Sequence, residues 1–451
     1  MIRKKSTILV IFGISGDLAV RYLLPAIGQI AKAKMLPEYF QIVGVTRKKN
    51  LKKEKLFKRT ENINFLNNHT EIHSMDTDKL TDYGKLKNYL EKLQKDLGSN
   101  ENQEEPAQVI FYLSVPPEAS IQIIELLGLS GLAKIEHCKL LLEKPFGTSL
   151  DSATGLVEYI NKYFLPEAVY RTDHYLAKEA AQNLIVFRSG NSLLRKTWNK
   201  DFIESVEIIV SESGGIEGRK NFYEQTGALR DVVQSHLLQL AALTLMELPA
   251  DDKLDLVPGL RYEALKQLYI TCDLKNLSKC AVRAQYKGYK EEVGNHNSMV
   301  ETFVSLTLES SDNRWSHVPI ILTTGKALNE KFTEIRIKYK KEKENESNDL
   351  LLRLQPDAGI EFSVWAKKPG YEHKLARHAL SFKFKEHYKE LPEAYEQVLF
   401  NVIIGDHSLF ASGEEVLETW RILDLVQEAW KKMDGNLEIY PKGSTIEDIL
   451  K

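Results

Sequence analysis

The sequence predicts a Rossmann-like α/β domain with a doubly wound parallel sheet over residues 1–172. A larger α+β domain with a mostly antiparallel sheet is expected over residues 173–451. In the first 145 residues, apolar runs of strand length alternate with helical patterns, which is typical of parallel strands joined by right-handed crossovers. After about residue 175, the strands alternate apolar and polar residues, as expected of an antiparallel sheet with one covered face.

The first domain is expected to contain four buried strands separated by helices. The strands are expected at 6–12 (STILVIF), 41–46 (QIVGVT), 107–115 (AQVIFYLSV) and 138–145 (CKLLLEKP). Helical patterns occupy 18–35 and 118–132, and a polar, lysine-rich helical region separates the second strand from the third. A length of 451 residues leaves room for one or two further domains.

The second domain begins with a helical tract at 177–187. Its strands are expected at 205–213, 301–310 and 333–340, and its later helices at 228–247 and 415–433. The segment KYKKEKENESND at 338–349 is expected to be a charged hairpin tip or loop on the surface.

Charge and composition exclude several classes of partner. The formal net charge is -2, from 61 basic and 63 acidic residues, which gives no reason to expect nucleic acid or an anionic membrane. The apolar run ILVIF near the start is too short for a signal peptide. The cysteines Cys138, Cys272 and Cys280 are widely spaced, show no metal pattern and suit a reducing compartment. The predicted location is therefore the cytoplasm.

A glycine turn follows the first strand and precedes a helix. VIFGISGDLAVR places Gly13 and Gly16 where backbone amides can approach a pyrophosphate at a helix N-terminus. The spacing is G-x-x-G rather than G-x-G-x-x-G, so a plain tight turn remains an alternative. The second strand ends in Thr46, Arg47 and Lys48 rather than in a carboxylate. Arg47 suits a 2′-phosphate and favours NADP, the alternative being a basic surface loop.

The segment RTDHYLAKE at 171–179 carries several groups suited to an anionic ligand. If it is helical, His174 and Lys178 share a face and Tyr175 lies beside them. A phosphate monoester could accept hydrogen bonds from all three side chains. Asp173 would then serve a different partner. The alternative is a surface helix with an ordinary i,i+4 pair.

Two further motifs point to proton chemistry. EKPFG places Lys144 after a strand end, where ligands bind in open α/β sheets, and its proline suggests a cis peptide; a solvated turn is the alternative. His236 lies in the apolar helix at 228–247, where a satisfied core histidine is the alternative. Asp173 could accept a hydrogen bond from one nitrogen of His236 and leave the other nitrogen to remove a proton from an alcohol.

Together these motifs resemble the glucose-6-phosphate dehydrogenase family. The resemblance rests on IFGISGDLAVRYLLPA, EKPFG, RTDHYLAKE and RDVVQSHLLQ, and it continues in order through VPIILTTGKALNEK, RLQPDAGIEF, AKKPG, YEQVLFNVIIGDHSLF and YPKGS. It implies oxidation of D-glucose 6-phosphate to 6-phospho-D-glucono-1,5-lactone with hydride transfer to NADP+, the first step of the oxidative pentose phosphate pathway. It also implies a homodimer or homotetramer, and no metal.

The resemblance assigns a role to each matching residue. His236 would be the general base for the C1 hydroxyl, and Asp173 would orient it. The phosphate would be held by His174, Tyr175, Lys178 and Lys331. The sugar would be contacted by Glu212, Asp231, Lys326 and Lys144, the last lying between sugar and nicotinamide. The coenzyme would be bound by Gly13, Ser15, Gly16, Asp17, Leu18, Arg47, Tyr112 and Lys144.

The chain departs from the family pattern at a few positions. Ser235 replaces the usual asparagine before the base, and Ala177 replaces a glycine after DHYL. Thr323 stands where the family often has arginine, which argues against a separate second NADP site. None of these changes removes a catalytic group. Two other hypotheses remain: a dehydrogenase for an unphosphorylated sugar, and a non-catalytic nucleotide- or sugar-phosphate-binding homologue.

Overall fold

The computed structural model describes residues 5–58, 60–98, 105–250, 253–272, 276–341, 347–432 and 437–451, which are built around two β-sheets. The strands of the first sheet are β1 (Thr7–Phe12), β2 (Phe40–Thr46), β3 (Thr70–Ser74), β4 (Gln108–Leu113), β5 (Cys138–Leu142), β6 (Val169–Thr172) and β16 (Phe410–Ala411). Their order is β16-β6-β5-β4-β1-β2-β3, and the pairings are parallel except that of β16 with β6. The chain therefore reverses its direction of winding between β1 and β4, where open sheets of this kind bind ligands.

Helices cover both faces of this sheet. They are α1 (Leu24–Lys32), α2 (Ile63–His69), α3 (Leu80–Gly98), α4 (Pro117–Leu129), α5 (Leu150–Asn161), α13 (Ala394–Ile404) and α14 (Gly413–Lys432). A π-helical turn, Ala19–Leu23, precedes α1. β1 and β4 are buried along their whole length because TILVIF and QVIFYL face helices on both sides. The last two helices come from the end of the chain, so the predicted boundary at residue 172 stays a prediction.

The second sheet has ten strands. They are β7 (Ile203–Ser211), β8 (Leu268–Ile270), β9 (Ala281–Tyr286), β10 (Phe303–Ser310), β11 (Ile320–Gly325), β12 (Phe332–Tyr339), β13 (Asp349–Gln355), β14 (Gly359–Lys367), β15 (Leu375–Lys383) and β17 (Glu438–Tyr440). The order is β15-β14-β13-β12-β7-β11-β10-β9-β17, with β8 paired to β10. Most pairings are antiparallel; β7–β11 and β17–β9 are parallel. The predicted fold class is confirmed.

The helices associated with this sheet are α6 (Glu179–Gly190), α7 (Ser192–Thr197), α8 (Lys220–Ala228), α9 (Leu238–Leu245), α10 (Val257–Lys266), α11 (Tyr289–Val293), α12 (Phe384–His387) and α15 (Ile446–Ile449). A π-helix, Leu229–Leu237, joins α8 to α9. Gly227, with φ +64°, bends the chain just before it. The structure therefore divides the predicted helix at 228–247 into a π-helical and an α-helical part.

Several expectations need correction. The edge strand β3, TEIHS, was missed because it lies in a polar region without an apolar run. The segment 174–178 forms turns rather than a helix, and α6 begins only at Glu179. Residues 342–346 of the charged hairpin and residue 433 of the last long helix lie outside the described residues.

The cysteine pattern was also misread. Cys272 and Cys280 are joined by a disulfide across a short connection before β9, while Cys138 is free. The cysteines therefore do not argue for a reducing compartment, and the cytoplasmic location stays a prediction. Within the described part of the chain, no helix is both long and apolar enough to cross a membrane.

Candidate active site

The predicted catalytic residues meet at the carboxyl edge of the first sheet. Asp173 directly follows β6, and Lys144 lies two residues after the end of β5. Parallel strands bring these two positions to the same edge. The π-helix Leu229–Leu237 packs across it and supplies Asp231 and His236.

His236 is bonded through both ring nitrogens. Its Nδ1 lies 2.6 Å from Oδ1 of Asp173, and its Nε2 lies 2.8 Å from Nζ of Lys144. A carboxylate only accepts and an ammonium only donates. Nδ1 therefore carries the hydrogen that is donated to Asp173, and Nε2 presents a lone pair to Lys144. This is the tautomer that a general base needs.

The pKa values of both members of this pair lie below their ordinary values. Burial alone would raise the pKa of Asp173, but the charge and hydrogen bond of His236 outweigh it and hold that pKa below its ordinary range. Burial lowers the pKa of His236, and the Lys144 ammonium lowers it further, against the opposing effect of Asp173. The imidazole is thus kept neutral and ready to accept a proton near neutral pH.

Lys144 is fixed by its own contacts. Its Nζ donates to the backbone oxygen of Asp231 at 2.8 Å and lies 3.2 Å from the Asp231 carboxylate. The Lys144–Pro145 peptide is cis, as the sequence predicted. The contacts of Nζ place the ammonium beside His236, between the sheet edge and the π-helix.

The segment 173–178 gathers its cationic and aromatic groups without being helical. The amide of Tyr175 donates to Oδ1 of Asp173 at 2.9 Å, which closes a turn in place of a helical bond. The Tyr175 ring stacks on the His236 ring at 4.1 Å between centroids, and Lys178 Nζ lies 5.2 Å from the Tyr175 ring. The helix on which this interpretation was conditional is absent from the segment, yet His174, Tyr175 and Lys178 are brought together.

The remaining cations of the predicted phosphate group lie close by. Lys178 Nζ donates to Oε1 of Gln355 at 2.7 Å. Burial is the main reason that its pKa lies below the ordinary value, and the charge of Lys331 adds to the effect. Lys331 itself is exposed. Burial also holds the pKa of His174 well below its ordinary value. A dianionic group here would be attracted by the two ammonium groups and could accept a hydrogen bond from the neutral His174 ring.

A cavity of about 250 Å³ lies between Lys144 and the π-helix. Its wall includes most of the residues predicted to contact the sugar and the phosphate: Lys144, His174, Tyr175, Glu212, Asp231 and His236. Lys326 lies behind it, with Nζ 2.7 Å from Oε2 of Glu212 and only 2% of the residue exposed. The predicted sugar contacts are therefore preorganised by ion pairs.

The glycine turn fits a dinucleotide. Gly13 has φ +79°, and a Cβ there would lie 2.3 Å from the backbone oxygen of Ser114. Only glycine fits so close to the end of β4. Gly16 N–H closes the turn on Gly13 O at 2.8 Å. Ser15 and Leu18 lie within and just after this turn, and Asp17 pairs with Arg21 at 3.2 Å. The turn thus brings backbone close to the edge where the sheet reverses direction.

Besides Lys144, described above, two other predicted coenzyme residues lie on either side of this turn. Arg47 directly follows β2 and is exposed. Tyr112, near the end of β4, is fully buried and its hydroxyl is hydrogen-bonded to Glu143. Sequence reasoning missed Glu143, although it stands in the EKPFG motif. It also missed Arg219 and Arg230, which line the cavity of about 250 Å³.

Asp173, His174 and His236 have ligand-type atoms within 4.8 Å of one another. The Lys144 ammonium beside Nε2 of His236 opposes a cation there. The arrangement suits proton abstraction from a neutral hydroxyl better than metal coordination. That no metal is needed stays a prediction.

Family models match nearly the whole chain. The model described as glucose-6-phosphate dehydrogenase, NAD binding domain, matches residues 10–183. The model described as glucose-6-phosphate dehydrogenase, C-terminal domain, matches residues 185–448.

Full-length relatives agree with these matches. Glucose-6-phosphate 1-dehydrogenase of Chlamydia muridarum is 33% identical over 97% of this chain and 93% of its own length. The enzyme of Dickeya dadantii is 33% identical over 97% and 94%, respectively. A solved structure of glucose-6-phosphate dehydrogenase in complex with its substrate glucose-6-phosphate is similar with a TM-score of 0.90 at 29% identity. It covers 100% of this chain and 98% of that one.

Proposed function

The chain belongs to the glucose-6-phosphate dehydrogenase family, and we propose that it carries out the family's reaction with NADP+ through the site around His236. As a member it is an oxidoreductase with a nicotinamide dinucleotide coenzyme. It oxidises D-glucose 6-phosphate to 6-phospho-D-glucono-1,5-lactone, the first step of the oxidative pentose phosphate pathway.

One observation carries the assignment of roles: the bond of 2.6 Å between His236 Nδ1 and Asp173 Oδ1. It supports Nε2 as the proton acceptor, and the carboxylate would stabilise the imidazolium that forms. The C1 hydroxyl of the sugar would replace the Lys144 ammonium as donor to Nε2. Lys144 then remains beside the reacting oxygen, where its positive charge stabilises the alkoxide that develops.

The phosphate and the sugar would be held on opposite sides of the base. The Tyr175 ring stacks on the His236 ring, and the Lys178 ammonium lies over the Tyr175 ring. A phosphate bound by Lys178 would therefore lie at a fixed distance from His236 Nε2. Glu212 and Asp231 would accept hydrogen bonds from sugar hydroxyls in the cavity that they line. Lys326, held against Glu212, would complete that wall. Fixing both ends of the substrate orients C1 for the reaction.

The coenzyme would lie across the carboxyl edge of the first sheet. When bound it accepts the hydride. The turn Gly13–Leu18 would hold its diphosphate, and Arg47 at the end of β2 would bind a 2′-phosphate. The absence of a carboxylate after Thr46 supports NADP rather than NAD, because an acid there usually binds the ribose hydroxyls. A cytoplasmic location and a homodimer or homotetramer stay predictions.

The test is to mix purified protein with D-glucose 6-phosphate and either NADP+ or NAD+, and to follow the absorbance of the reduced nicotinamide. Turnover is expected with D-glucose 6-phosphate and NADP+. At least ~10-fold lower kcat/KM is expected with D-glucose, which lacks the phosphate that the cationic cluster of His174, Lys178 and Lys331 would bind. Faster turnover with NAD+ at equal low concentration would overturn the choice of NADP. Equal kcat/KM for both sugars would favour a dehydrogenase of unphosphorylated sugars.

A further inference from the structure

The order of groups along the first sheet locates the nicotinamide end of the coenzyme groove. At the carboxyl edge, Arg47 follows β2, the Gly13 turn follows β1, Tyr112 lies one residue before the end of β4, Glu143 follows β5 and Asp173 follows β6. If Arg47 and the Gly13 turn hold the adenosine phosphate and the diphosphate, the nicotinamide must extend toward Asp173 and His236. It then passes over the ends of β4 and β5.

Glu143 lies at this place with its side chain fixed. The Tyr112 hydroxyl donates a hydrogen bond to its Oε1. Tyr112 belongs to the core on the face covered by α1 and α13, the face on which the coenzyme turn leads into its helix. The next residue, Lys144, turns toward His236. Consecutive side chains of this segment therefore face opposite sides of the groove. Lys144 faces the substrate side and Glu143 faces the coenzyme side.

The titratable groups that face Glu143 lie on each neighbouring element. They are the Tyr112 phenol on β4, the Lys144 ammonium after β5, the Asp173 carboxylate after β6 and the Tyr395 phenol on α13. Lys144 is itself 3.2 Å from Asp231 and Asp173 is bonded to His236, so both have partners of their own. Burial raises the pKa of Glu143 to about 7, against the opposing effects of Tyr112 and Lys144.

Resting on the proposed function, we propose that the Glu143 carboxylate, held by Tyr112 at the nicotinamide end of the groove, makes the site prefer oxidised over reduced coenzyme. Oxidised nicotinamide carries a positive ring charge, and the reduced ring is neutral. A carboxylate in a partly buried groove attracts only the charged form. Binding of oxidised coenzyme therefore favours ionised Glu143, and loss of the ring charge on reduction weakens the attraction and helps the product to leave.

The experiment measures coenzyme affinity without turnover. Kd values for NADP+ and NADPH are determined by calorimetry and fluorescence at about pH 8 for wild type and Glu143→Gln, a variant that keeps the hydrogen-bond acceptor for Tyr112. The Kd for NADP+ is expected to rise on the order of 10-fold to 100-fold, as expected for loss of an opposite charge near the ring. The Kd for NADPH is expected to change less than ~3-fold.

Proton linkage supplies an independent readout. Wild type should release protons when NADP+ binds near pH 7, because the ring charge stabilises the ionised carboxylate, whereas Glu143→Gln should release fewer. Calorimetry in buffers of different ionisation enthalpy measures this difference. Tyr112→Phe should move the release to higher pH, since it removes a hydrogen bond that favours the carboxylate.

Glu71→Gln is the matched control. Glu71 also accepts a hydrogen bond from a tyrosine, Tyr89, but lies on β3 at the far edge of the sheet. It should change neither Kd value. An unchanged ratio of Kd(NADP+) to Kd(NADPH) in Glu143→Gln would overturn the inference while leaving the proposed reaction intact. Failure of wild type to bind either coenzyme would instead overturn the proposed function.

Discussion

His236 and Asp173 are 63 positions apart in the sequence, yet His236 Nδ1 lies 2.6 Å from Asp173 Oδ1. The bond joins the π-helix Leu229–Leu237 to the carboxyl edge of the first sheet. Both side chains are almost fully buried, so solvent does not weaken their interaction. The imidazole on one structural unit is thereby positioned by a carboxylate on the other.

Substitution of the base tests this relationship directly. His236→Asn should lower kcat by at least ~10²-fold, because a positioned base contributes typically 10²–10⁴-fold. Substrate binding, measured by calorimetry, should persist because the cationic cluster is intact. His407→Asn is the control: His407 stacks on Tyr170 at 4.0 Å at the opposite edge of the sheet. A near-normal kcat for His236→Asn would refute the role.

The pH profile reports the environment of the same imidazole. Burial and the charge of Lys144 lower the pKa of His236, so kcat/KM should fall on the acid side with a midpoint below about 6.5, the ordinary value. The Asp173 carboxylate is hydrogen-bonded to the His236 ring and raises the pKa of that ring. Asp173→Asn removes this effect. The midpoint should therefore move to still lower pH while the plateau drops. A midpoint that rises in Asp173→Asn would contradict this assignment.

The sequence was most informative where a single stretch determines the structure. Continuous apolar runs gave the central strands because both faces of a parallel sheet are covered. The glycine turn and the Lys-Pro turn were recognisable because Gly13 and the cis peptide at Pro145 are local backbone features. The edge strand β3 was missed because one exposed face and a polar sequence leave no such pattern.

Features that depend on distant partners could not be predicted in this way. Asp173 accepts a hydrogen bond from His236, 63 positions later in the sequence, and the same carboxylate oxygen accepts the Tyr175 amide in a turn that competes with helix formation. The pairing of Glu143 with Tyr112 joins two strands and depends on their register. Motif resemblance indicated which residues belong to the site, but only the three-dimensional arrangement showed how their charges balance.

Lys178 provides a test of phosphate recognition. It carries no carboxylate partner among the described residues and bonds instead to the amide of Gln355. Lys178→Met should raise the KM for D-glucose 6-phosphate about 10-fold to 100-fold, the range expected for a lost charged hydrogen bond. kcat/KM for D-glucose should change little. Lys338→Met, which removes a surface ion pair with Glu207 on the same sheet, is the control. Equal losses for both sugars would count against a phosphate role.

Arg47 provides the corresponding test for the coenzyme. Arg47→Ser should weaken NADP+ binding at least ~10-fold, because a bidentate charged contact to the 2′-phosphate is lost. NAD+ binding should change less than ~3-fold, since NAD+ lacks that phosphate. Lys48→Ser is the neighbouring control, because Lys48 is also exposed. Calorimetry measures the Kd values for NADP+ and NAD+. An equal rise in both Kd values would show that Arg47 does not bind the 2′-phosphate.

Substitution of a buried ion pair tests how the end of the chain is held against the rest of the molecule. Arg261 on α10 and Glu415 on α14 have fully buried side chains, and Arg261 Nε lies 2.7 Å from Glu415 Oε1. Arg261 also donates to the backbone oxygen of Phe410 on β16 at 2.6 Å. Arg261→Met should lower the free energy of unfolding by about 3–5 kcal/mol, because the buried Glu415 loses its hydrogen-bonded ion-pair partner.

The matched comparisons separate a buried charge from a lost contact. The double variant Arg261→Met with Glu415→Gln should recover part of the loss, since no uncompensated charge remains. Lys431→Met, which removes a surface pair with Glu428, should change stability by less than about 1 kcal/mol. Urea unfolding followed by tryptophan fluorescence measures all three. If the double variant proves less stable than Arg261→Met, the unpaired carboxylate is not the cause of the loss.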